Sequence, residues 1–305
     1  MAGAGAAAQR PCMKTALVFG GSGQIGAALL ARLRDGGWQV LALSREARAD
    51  GPGLRWLRGG FPRPPGLPEQ VDAIFSCGPL DAFAQWYAQA GIRSARVIAF
   101  GSTSVHVKHA SGDPGERDVA RRLREAEASL FATARARGEA AIVLRPTLVY
   151  GVGRDATLTR IARLARRAGR FVLPRNASGL RQPVHVDDLA DAALAASHGA
   201  AAHGRGYDLP GGETLPYIEM VRRVLACLSP PLRLHLLPMA LFRALLAAAR
   251  AGGIARDLTG DAIARMRDDL VFDAGPAARD LGYAPRAFAP AAAMFDAPQP
   301  SSGAP

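Results

Sequence analysis

The chain contains 305 residues, of which 49% are hydrophobic and 21% are charged, so it is long enough to bury a large core. Its three cysteines lie far apart and show no metal-ligand spacing, which argues against a disulfide framework and against any metal site. The net charge of +12 favours anionic partners. Because the arginines are spread along the chain and only 6% of residues are aromatic, we expect a small-molecule substrate and no specific nucleic-acid binding.

The first predicted strand, residues 15–19, runs into a glycine-rich turn and then into a predicted helix over residues 26–35. The spacing Gly20-x-x-Gly23-x-x-Gly26 is typical of dinucleotide binding, since the glycines permit a tight turn, close approach of the pyrophosphate and packing of the helix on the strand. The phosphates would face the helix N-terminus. The alternative is a glycine-rich turn that binds no ligand. We assign the cofactor contact to the whole turn, namely Gly20, Gly21, Ser22, Gly23, Gln24, Ile25 and Gly26.

The end of the second predicted strand, residues 39–44, indicates which dinucleotide binds. A carboxylate at this place would bind the adenosine 2′-hydroxyl of NAD and repel the 2′-phosphate of NADP. The chain has Ser44 and Arg45 here, with Arg48 close behind, and these side chains suit a phosphate. The sequence therefore predicts that NADP(H) is preferred over NAD(H).

Strand-like and helical segments continue to alternate, with strands over 54–57, 71–76, 95–101 and 140–145 and helices over 80–90 and 114–137. This alternation predicts the α/β class, as a doubly wound parallel sheet (Rossmann) with a smaller mixed α/β C-terminal substrate region. We expect a cofactor domain over residues 13–150, completed by about 183–198, and a mainly substrate-binding region over residues 151–290.

The second half is less regular, with predicted helices over 155–168 and 187–197 and short strands over 171–173 and 183–186. Residues 236–249 are strongly apolar but fall short of the roughly 20 needed to cross a bilayer. We interpret them as a helix that lines a pocket or a partner interface, with peripheral membrane contact as the alternative. Residues 1–12 and 291–305 are rich in small residues and are expected to be flexible tails. No integral membrane span or secretory signal is predicted, so we expect a cytoplasmic protein.

Several separated motifs resemble one family. In chain order they are the glycine turn, Phe100-Gly-Ser-Thr-Ser-Val-His106, Leu144-Arg-Pro-Thr-Leu-Val-Tyr-Gly151, Pro183-Val-His-Val-Asp-Asp-Leu-Ala190 and Leu281-Gly-Tyr-Ala-Pro-Arg286. Together they resemble the extended and atypical short-chain dehydrogenase/reductase family, on its nucleoside-diphosphate-sugar epimerase (NAD-dependent epimerase/dehydratase) branch. The resemblance covers residues from about 14 to about 288.

The resemblance implies roles for single positions. The backbone of Cys77 and Gly78 would contact the cofactor, and Pro146 would close over its nicotinamide end. Ser102 and Thr103 match the family's strand end, whose hydroxyl binds the reacting oxygen, although Ser102 can instead cap a strand. The remaining two are substrate positions: Tyr150, and Arg181, which lies where relatives contact a substrate diphosphate and can instead carry ordinary surface charge.

One departure from the family pattern concerns its proton relay. Family enzymes use Tyr-x-x-x-Lys, in which lysine lowers the tyrosine pKa. No tyrosine of this chain has a lysine four residues later, and Arg122 falls near the lysine position. Arg122 would keep a positive charge beside the nicotinamide ribose but stays protonated. His106 stands where relatives have tyrosine, and it either replaces the missing acid/base or makes a local hydrogen bond.

The leading hypothesis is an NAD(P)-binding, NADP(H)-dependent epimerase- or reductase-like protein that acts on a carbonyl or hydroxyl of a small molecule, with a nucleotide sugar as one candidate. The first alternative is a non-catalytic dinucleotide-binding sensor or assembly factor, as among relatives that lack the tyrosine and lysine. A basic nucleic-acid-binding module is a further alternative. The resemblance leaves a homodimer open.

Overall fold

The computed structural model describes residues 13–64, 66–198, 204–251 and 264–296. The predicted tail over residues 1–12 and most of the one over 291–305 lie outside the described residues. Strands and helices are numbered below in chain order.

A seven-stranded parallel sheet forms the centre of the protein, in the order β11-β6-β5-β4-β1-β2-β3. This order confirms the doubly wound Rossmann fold. The strands are β1 (Thr15–Phe19), β2 (Gln39–Ser44), β3 (Leu54–Arg58), β4 (Gln70–Ser76), β5 (Arg93–Phe100), β6 (Ala140–Pro146) and β11 (Arg205–Leu209).

Helices cover both faces of this sheet. The described helices are α1 (Gln24–Asp35), α2 (Leu80–Gln89), α3 (Ser104–Val107), α4 (Pro114–Arg137), α5 (Leu158–Ala168), α6 (Val186–His198), α7 (Tyr217–Cys227), α8 (Met239–Ala251) and α9 (Gly275–Leu281). Helices α1 and α6 pack on one face and α2 and α4 on the other. Because strand side chains alternate, Val18 of β1 belongs to the first core and Phe19 to the second.

The smaller region contains three short two-stranded sheets and a third core between α5 and α7. Its strands are β7 (Val149–Tyr150), β8 (Arg170–Pro174), β9 (Leu180–Arg181), β10 (Val184–His185), β12 (Leu215–Pro216) and β13 (Arg233–Leu237). Strand β8 pairs with β13, and β7 pairs with β10. None of the helices in the described ranges is long and apolar enough to cross a membrane.

Three expectations from the sequence need correction. Strand β11 lies in the range assigned to substrate binding, yet it pairs with β6 and extends the cofactor sheet. Residues 236–249 are not one helix, because Leu236 and Leu237 belong to β13 and the helix begins at Met239 after Pro238. The helix expected from residue 155 begins at Leu158, since the Asp155 carboxylate instead accepts the backbone N–H of Thr159 at 3.0 Å.

The expected second tail begins later than residue 291. Ala292–Phe295 forms a short 3-10 turn, and the Phe295 side chain is buried in the core of the smaller region. Arg166 of α5 donates to the Phe295 carbonyl at 2.9 Å and forms an ion pair with Asp296 at 2.8 Å. Burial of one phenylalanine and these contacts tie the segment to the domain.

Candidate functional site

The glycine turn lies between β1 and α1, at the carboxyl edge of the central sheet. Gly20 has φ of +71°, a backbone conformation that favours glycine, and a Cβ there would lie 2.9 Å from the backbone carbonyl carbon of Cys77. A Cβ on Gly26 would lie 2.1 Å from the Gly20 carbonyl oxygen. Helix α1 begins after Gly23 with no side-chain cap, so its first N–H groups stay available to an anion. The turn therefore fits a dinucleotide pyrophosphate.

The other four positions of the turn have different surroundings. A Cβ on Gly21 would touch Leu30 and Ala42, which indicates close packing of the turn on the sheet. Ile25 packs against the core, and the buried Gln24 Oε1 has no hydrogen-bond partner among the described residues. The Ser22 carbonyl accepts a hydrogen bond from Arg154, which brings a cation of the smaller region onto the turn.

Ser44 and Arg45 lie at the carboxyl end of β2. The buried Ser44 Oγ accepts from the backbone N–H of Glu46 at 3.2 Å and from Arg48 Nε at 3.3 Å. The Arg48 guanidinium also lies 5.3 Å from the centre of the Trp56 ring. Arg45 is exposed. Two guanidinium groups therefore lie where the adenosine end of a dinucleotide would bind.

Strand β4 ends at Ser76, followed by Cys77 and Gly78, next to the glycine turn. The Cys77 backbone N–H donates to the Phe19 carbonyl at 2.9 Å. Burial raises the pKa of the Cys77 thiol to about 12, so the thiol stays protonated. The Ser76 hydroxyl is buried and has no partner among the described residues. Cys77 therefore offers a neutral thiol and backbone groups to a cofactor, and no thiolate.

Ser102 and Thr103, at the end of β5, line a cavity of about 210 Å³. The Thr103 hydroxyl donates to the Pro146 carbonyl at 3.2 Å, and the Ser102 hydroxyl lies 3.1 Å from the Ser104 hydroxyl. Below we call this cavity, whose lining also includes Lys108 and Thr147, the hydroxyl cavity. Two hydroxyl groups at a strand end can bind a substrate oxygen from one side.

The lining of the hydroxyl cavity also contains a residue that the sequence analysis missed, Lys108. Its Nζ lies 3.6 Å from the Glu116 carboxylate, and the side chain is largely buried. The chain has only two lysines, Lys14 and Lys108, and this rarity is the one feature of the sequence that could have drawn attention to Lys108. The family pattern did not indicate Lys108, because that pattern expects a lysine on the long helix α4, whereas Lys108 lies before α4, five residues after Thr103.

His106 is not among the described lining residues of the hydroxyl cavity. Its Nε2 lies 3.0 Å from an Asp208 carboxylate oxygen on β11. Asp208 lies 3.6 Å from Arg145, whose guanidinium also hydrogen-bonds the buried Glu127 of α4 at 2.9 Å. His106 thus ends a chain of charged groups between β11, β6 and α4, and its hydrogen bond is to a residue distant in sequence and not a local one.

Arg122 makes two contacts on the exposed face of α4. It donates to the Asp118 carboxylate at 3.0 Å and to Asp81 of α2 at 2.9 Å. Asp81 lies in the first turn of α2, which follows the Cys77–Gly78 loop. The Arg122 guanidinium, which the sequence placed beside the nicotinamide ribose, is therefore already paired with the carboxylates of Asp118 and Asp81.

The two residues expected to contact substrate are both buried. Tyr150 is 1% exposed, and its ring packs edge-on against His185 and Phe288 at centroid distances of 5.1 and 5.0 Å. Burial raises the pKa of the Tyr150 phenol. This is a correction, because a core tyrosine that does not line the hydroxyl cavity offers no phenol to a substrate there.

Arg181 is 6% exposed, yet it lines the hydroxyl cavity. Its guanidinium donates to the Leu180 and Asp268 carbonyls, each at 2.7 Å, and to the Arg265 carbonyl. Burial lowers the pKa of the guanidinium. Arg181 is therefore not an ordinary surface charge. Several of its N–H donors are used by backbone carbonyls and are not available to a ligand, but its guanidinium contributes a buried positive charge to the cavity wall.

The described residues contain no group of three or more histidine, cysteine, aspartate or glutamate side chains that could hold a metal ion. The candidate site consists of the glycine turn, the ends of β2, β4 and β5, and the hydroxyl cavity. Residues 82–209, which include β5, β6, β11 and α4, match a model of the NAD dependent epimerase/dehydratase family.

A curated relative of this chain is the 2-alkyl-3-oxoalkanoate reductase of Stenotrophomonas maltophilia (strain K279a). The two are 29% identical over 251 residues, which cover 70% of this chain and 76% of the reductase. This alignment covers more residues than the family model matches, and the name of the relative is that of a reductase.

Solved structures share the fold. The Bordetella bronchiseptica enzyme WbmF in complex with NAD+ superposes with a TM-score of 0.67 at 15% identity, covering 92% of this chain and 90% of WbmF. MoeE5 in complex with UDP-glucuronic acid and NAD gives a TM-score of 0.64 at 20% identity, covering 90% and 94%. At these identities the structures confirm the Rossmann-type α/β fold of nearly the whole chain.

Proposed function

We propose that this chain binds NADP(H) and uses it to oxidise or reduce a carbonyl or hydroxyl group of a small molecule. The observation that carries the proposal is the position of the hydroxyl cavity at the carboxyl edge of the sheet, the edge that also holds the glycine turn. Ligands of doubly wound sheets bind at this edge. Residues 13–150 together with α6 and β11 would bind the cofactor, and residues between 151 and 290 would bind the substrate.

Each group of the site receives one role in this proposal. The glycine turn and the N-terminus of α1 bind the pyrophosphate, and Arg45 with Arg48 binds the adenosine 2′-phosphate. The backbone of Cys77 and Gly78, and Pro146 above the hydroxyl cavity, border the other end of the dinucleotide. A bound nicotinamide supplies hydride transfer to or from the reacting carbon.

The proton has to move through groups other than the family's tyrosine. The Thr103 and Ser102 oxygens can accept from a substrate alcohol as they stand, and either hydroxyl can donate to a substrate carbonyl when its proton turns from Pro146 or Ser104. Lys108 lines the same cavity, and its ammonium would donate a proton to that oxygen during reduction if it turned from Glu116 to the substrate. Glu116, 3.6 Å from the Lys108 Nζ, positions the ammonium.

The relatives suggest two substrate classes. The name of the Stenotrophomonas maltophilia reductase points to a 2-alkyl-3-oxoalkanoate, and the ligand of MoeE5 points to a nucleotide sugar. The second candidate function, a dinucleotide-binding sensor without turnover, is favoured by one observation, the absence of a Tyr-x-x-x-Lys pair.

Parallel measurements of NADPH binding and NADPH consumption separate the two functions. We expect the parent protein to bind NADPH and to consume it with a 2-alkyl-3-oxoalkanoate or a nucleotide-sugar ketone, and Thr103→Val to bind it but consume it at least 100-fold more slowly. Thr157→Val, which changes another hydroxyl of the cavity wall, is the matched control. Equal consumption by Thr103→Val and the parent would reject the assigned chemistry, and binding without consumption by the parent would favour the sensor.

A further inference from the structure

A larger cavity of about 600 Å³ adjoins the hydroxyl cavity and is bounded by α5, β8 and α8. We call it the apolar cavity, because most of its wall consists of aliphatic and aromatic side chains. Examples from the three elements are Ile161, Leu164, Phe171, Phe242 and Leu246. A cavity of this size and character is typical of a small-molecule site.

One wall of the apolar cavity carries an unusually exposed leucine. Phe242 and Leu246 of α8 are buried, whereas Leu245, which also lines the cavity, is 47% exposed. A large apolar side chain that lies in water beside an apolar wall gains free energy when an apolar ligand covers it. The described part of the wall is therefore suited to hydrocarbon.

The polar part of the wall is basic. Arg160, Arg170, Arg181 and Arg265 line the apolar cavity, and its described lining contains no aspartate or glutamate. Arg265 is paired with Glu116, and Arg181 with backbone carbonyls, but both still contribute positive charge. A low-dielectric cavity with charge of one sign attracts an anion.

The two cavities form one path from the reacting groups to the apolar wall. Five residues line both cavities, namely Leu148, Thr157, Arg181, Arg265 and Leu270. A ligand with its reacting oxygen at Ser102 and Thr103 would pass Arg181 and Arg265 before its far end reaches α8. The guanidinium groups of Arg181 and Arg265 therefore lie close to the expected position of the reacting oxygen, and the apolar side chains of α8 lie further from it.

We propose that the substrate is an amphipathic carboxylate, with its carbonyl or hydroxyl and carboxylate in the hydroxyl cavity and an alkyl chain in the apolar cavity. The sugar and ribose rings of a nucleotide sugar would lose hydrogen bonds to water against this wall, at a free-energy cost that hydrocarbon avoids. This inference rests on the proposed function, because it names the substrate class of the same site. Binding of the ligand, however, needs no turnover to be measured.

The test is a calorimetric titration of the protein, loaded with NADP+, with monomeric octanoate, decanoate, decanol and UDP-glucose. We expect decanoate to bind about tenfold or more tightly than octanoate, since each buried methylene contributes roughly fourfold. Decanol should bind more weakly than decanoate, and UDP-glucose should not compete with decanoate. Tighter binding of UDP-glucose than of decanoate, or equal binding of octanoate and decanoate, overturns the proposal.

Two matched pairs of variants locate the ligand. Leu245→Glu should weaken decanoate binding at least tenfold, whereas Leu241→Glu, on the same helix and 54% exposed but outside the described lining, should not. Arg265→Ala, at a residue that lines both cavities, should weaken decanoate but not decanol, and exposed Arg267→Ala, outside both described linings, should change neither. Equal effects within either pair would place the ligand elsewhere. Affinity for NADP+ is read separately in each protein, so failure of cofactor binding is distinguished from failure of this inference.

Discussion

A Cβ built on Gly26 would lie 2.1 Å from the carbonyl oxygen of Gly20. Gly20 in turn leaves no room for a Cβ against the Cys77 backbone, so the turn, the first helix and the β4 loop are in mutual backbone contact. These contacts bring the glycine turn, the start of α1 and the loop after β4 to the position where a cofactor phosphate is expected.

Gly26→Ala is expected to lower the affinity for NADPH at least tenfold, since the turn has to move away from the helix to admit the methyl group. Fluorescence titration with NADPH measures the change. Gly91→Ala is the control, because Gly91 is exposed and a Cβ there would meet no atom within 4 Å. Parental affinity in Gly26→Ala would exclude the turn from cofactor binding.

Arg45→Ala is expected to weaken NADPH binding roughly tenfold or more and to leave NADH binding unchanged, because loss of one charge-assisted hydrogen bond to phosphate costs about 1.5 kcal/mol or more. Arg124→Ala, an exposed arginine on α4, controls for net charge. A loss of the same size for both cofactors would place Arg45 away from the 2′-phosphate.

Lys108→Met and His106→Ala test which side chain moves the proton. We expect Lys108→Met to lower kcat by about 100-fold, within the range of general acid catalysis, because Lys108 lines the hydroxyl cavity and is the proposed proton donor. His106→Ala should keep kcat within twofold of the parent, since its imidazole contacts Asp208 instead. The measurement is NADPH consumption with a carbonyl substrate that the parent reduces. A large loss in His106→Ala together with none in Lys108→Met would reverse the assignment.

Burial lowers the pKa of His185 below its ordinary value of 6.5. In the unfolded chain this histidine takes up a proton as the pH falls through about 6.5, whereas the folded protein resists protonation. Acidification through this range therefore lowers the free energy of unfolding.

His185→Asn should reduce that pH dependence, because asparagine does not titrate. In the parent, the Asp187 backbone N–H donates to His185 Nδ1 at 3.2 Å, and the asparagine side-chain oxygen can replace Nδ1 as the acceptor. Urea unfolding at about pH 7.5 and about pH 5.5 measures the difference. The exposed His235→Asn is the control. An unchanged difference in His185→Asn would show that other groups cause the pH dependence.

The sequence predicted the central sheet well because its strands are short apolar segments that alternate with helices. Strand β2 begins and ends where the pattern indicated, and α4 does so as well, since Asp113 caps its start and Gly138 ends it. Strand β11 was missed because Arg205–Leu209 contains only a few apolar residues and pairs with a strand far away in sequence. Such pairing depends on tertiary contacts and not on local pattern.

The candidate site was predicted in part. The glycine turn and the strand ends with Ser102 and Thr103 follow local patterns, and the structure brings them to one edge of the sheet. Lys108 and the apolar cavity were not predictable in the same way, because the cavity wall combines α5, β8 and α8. Tyr150 illustrates the reverse case, a residue that matches a family motif but lies in a core contact with Phe288.

Calorimetric titration of the parent protein with NADPH and NADH tests the central claim, a functional NADP(H) site at the carboxyl edge of the sheet, most directly. The account predicts saturable binding of both cofactors at one site per chain, with NADPH at least tenfold tighter because of the guanidinium groups after β2. Failure of both cofactors to bind, or NADH binding as tight as or tighter than NADPH, would contradict it.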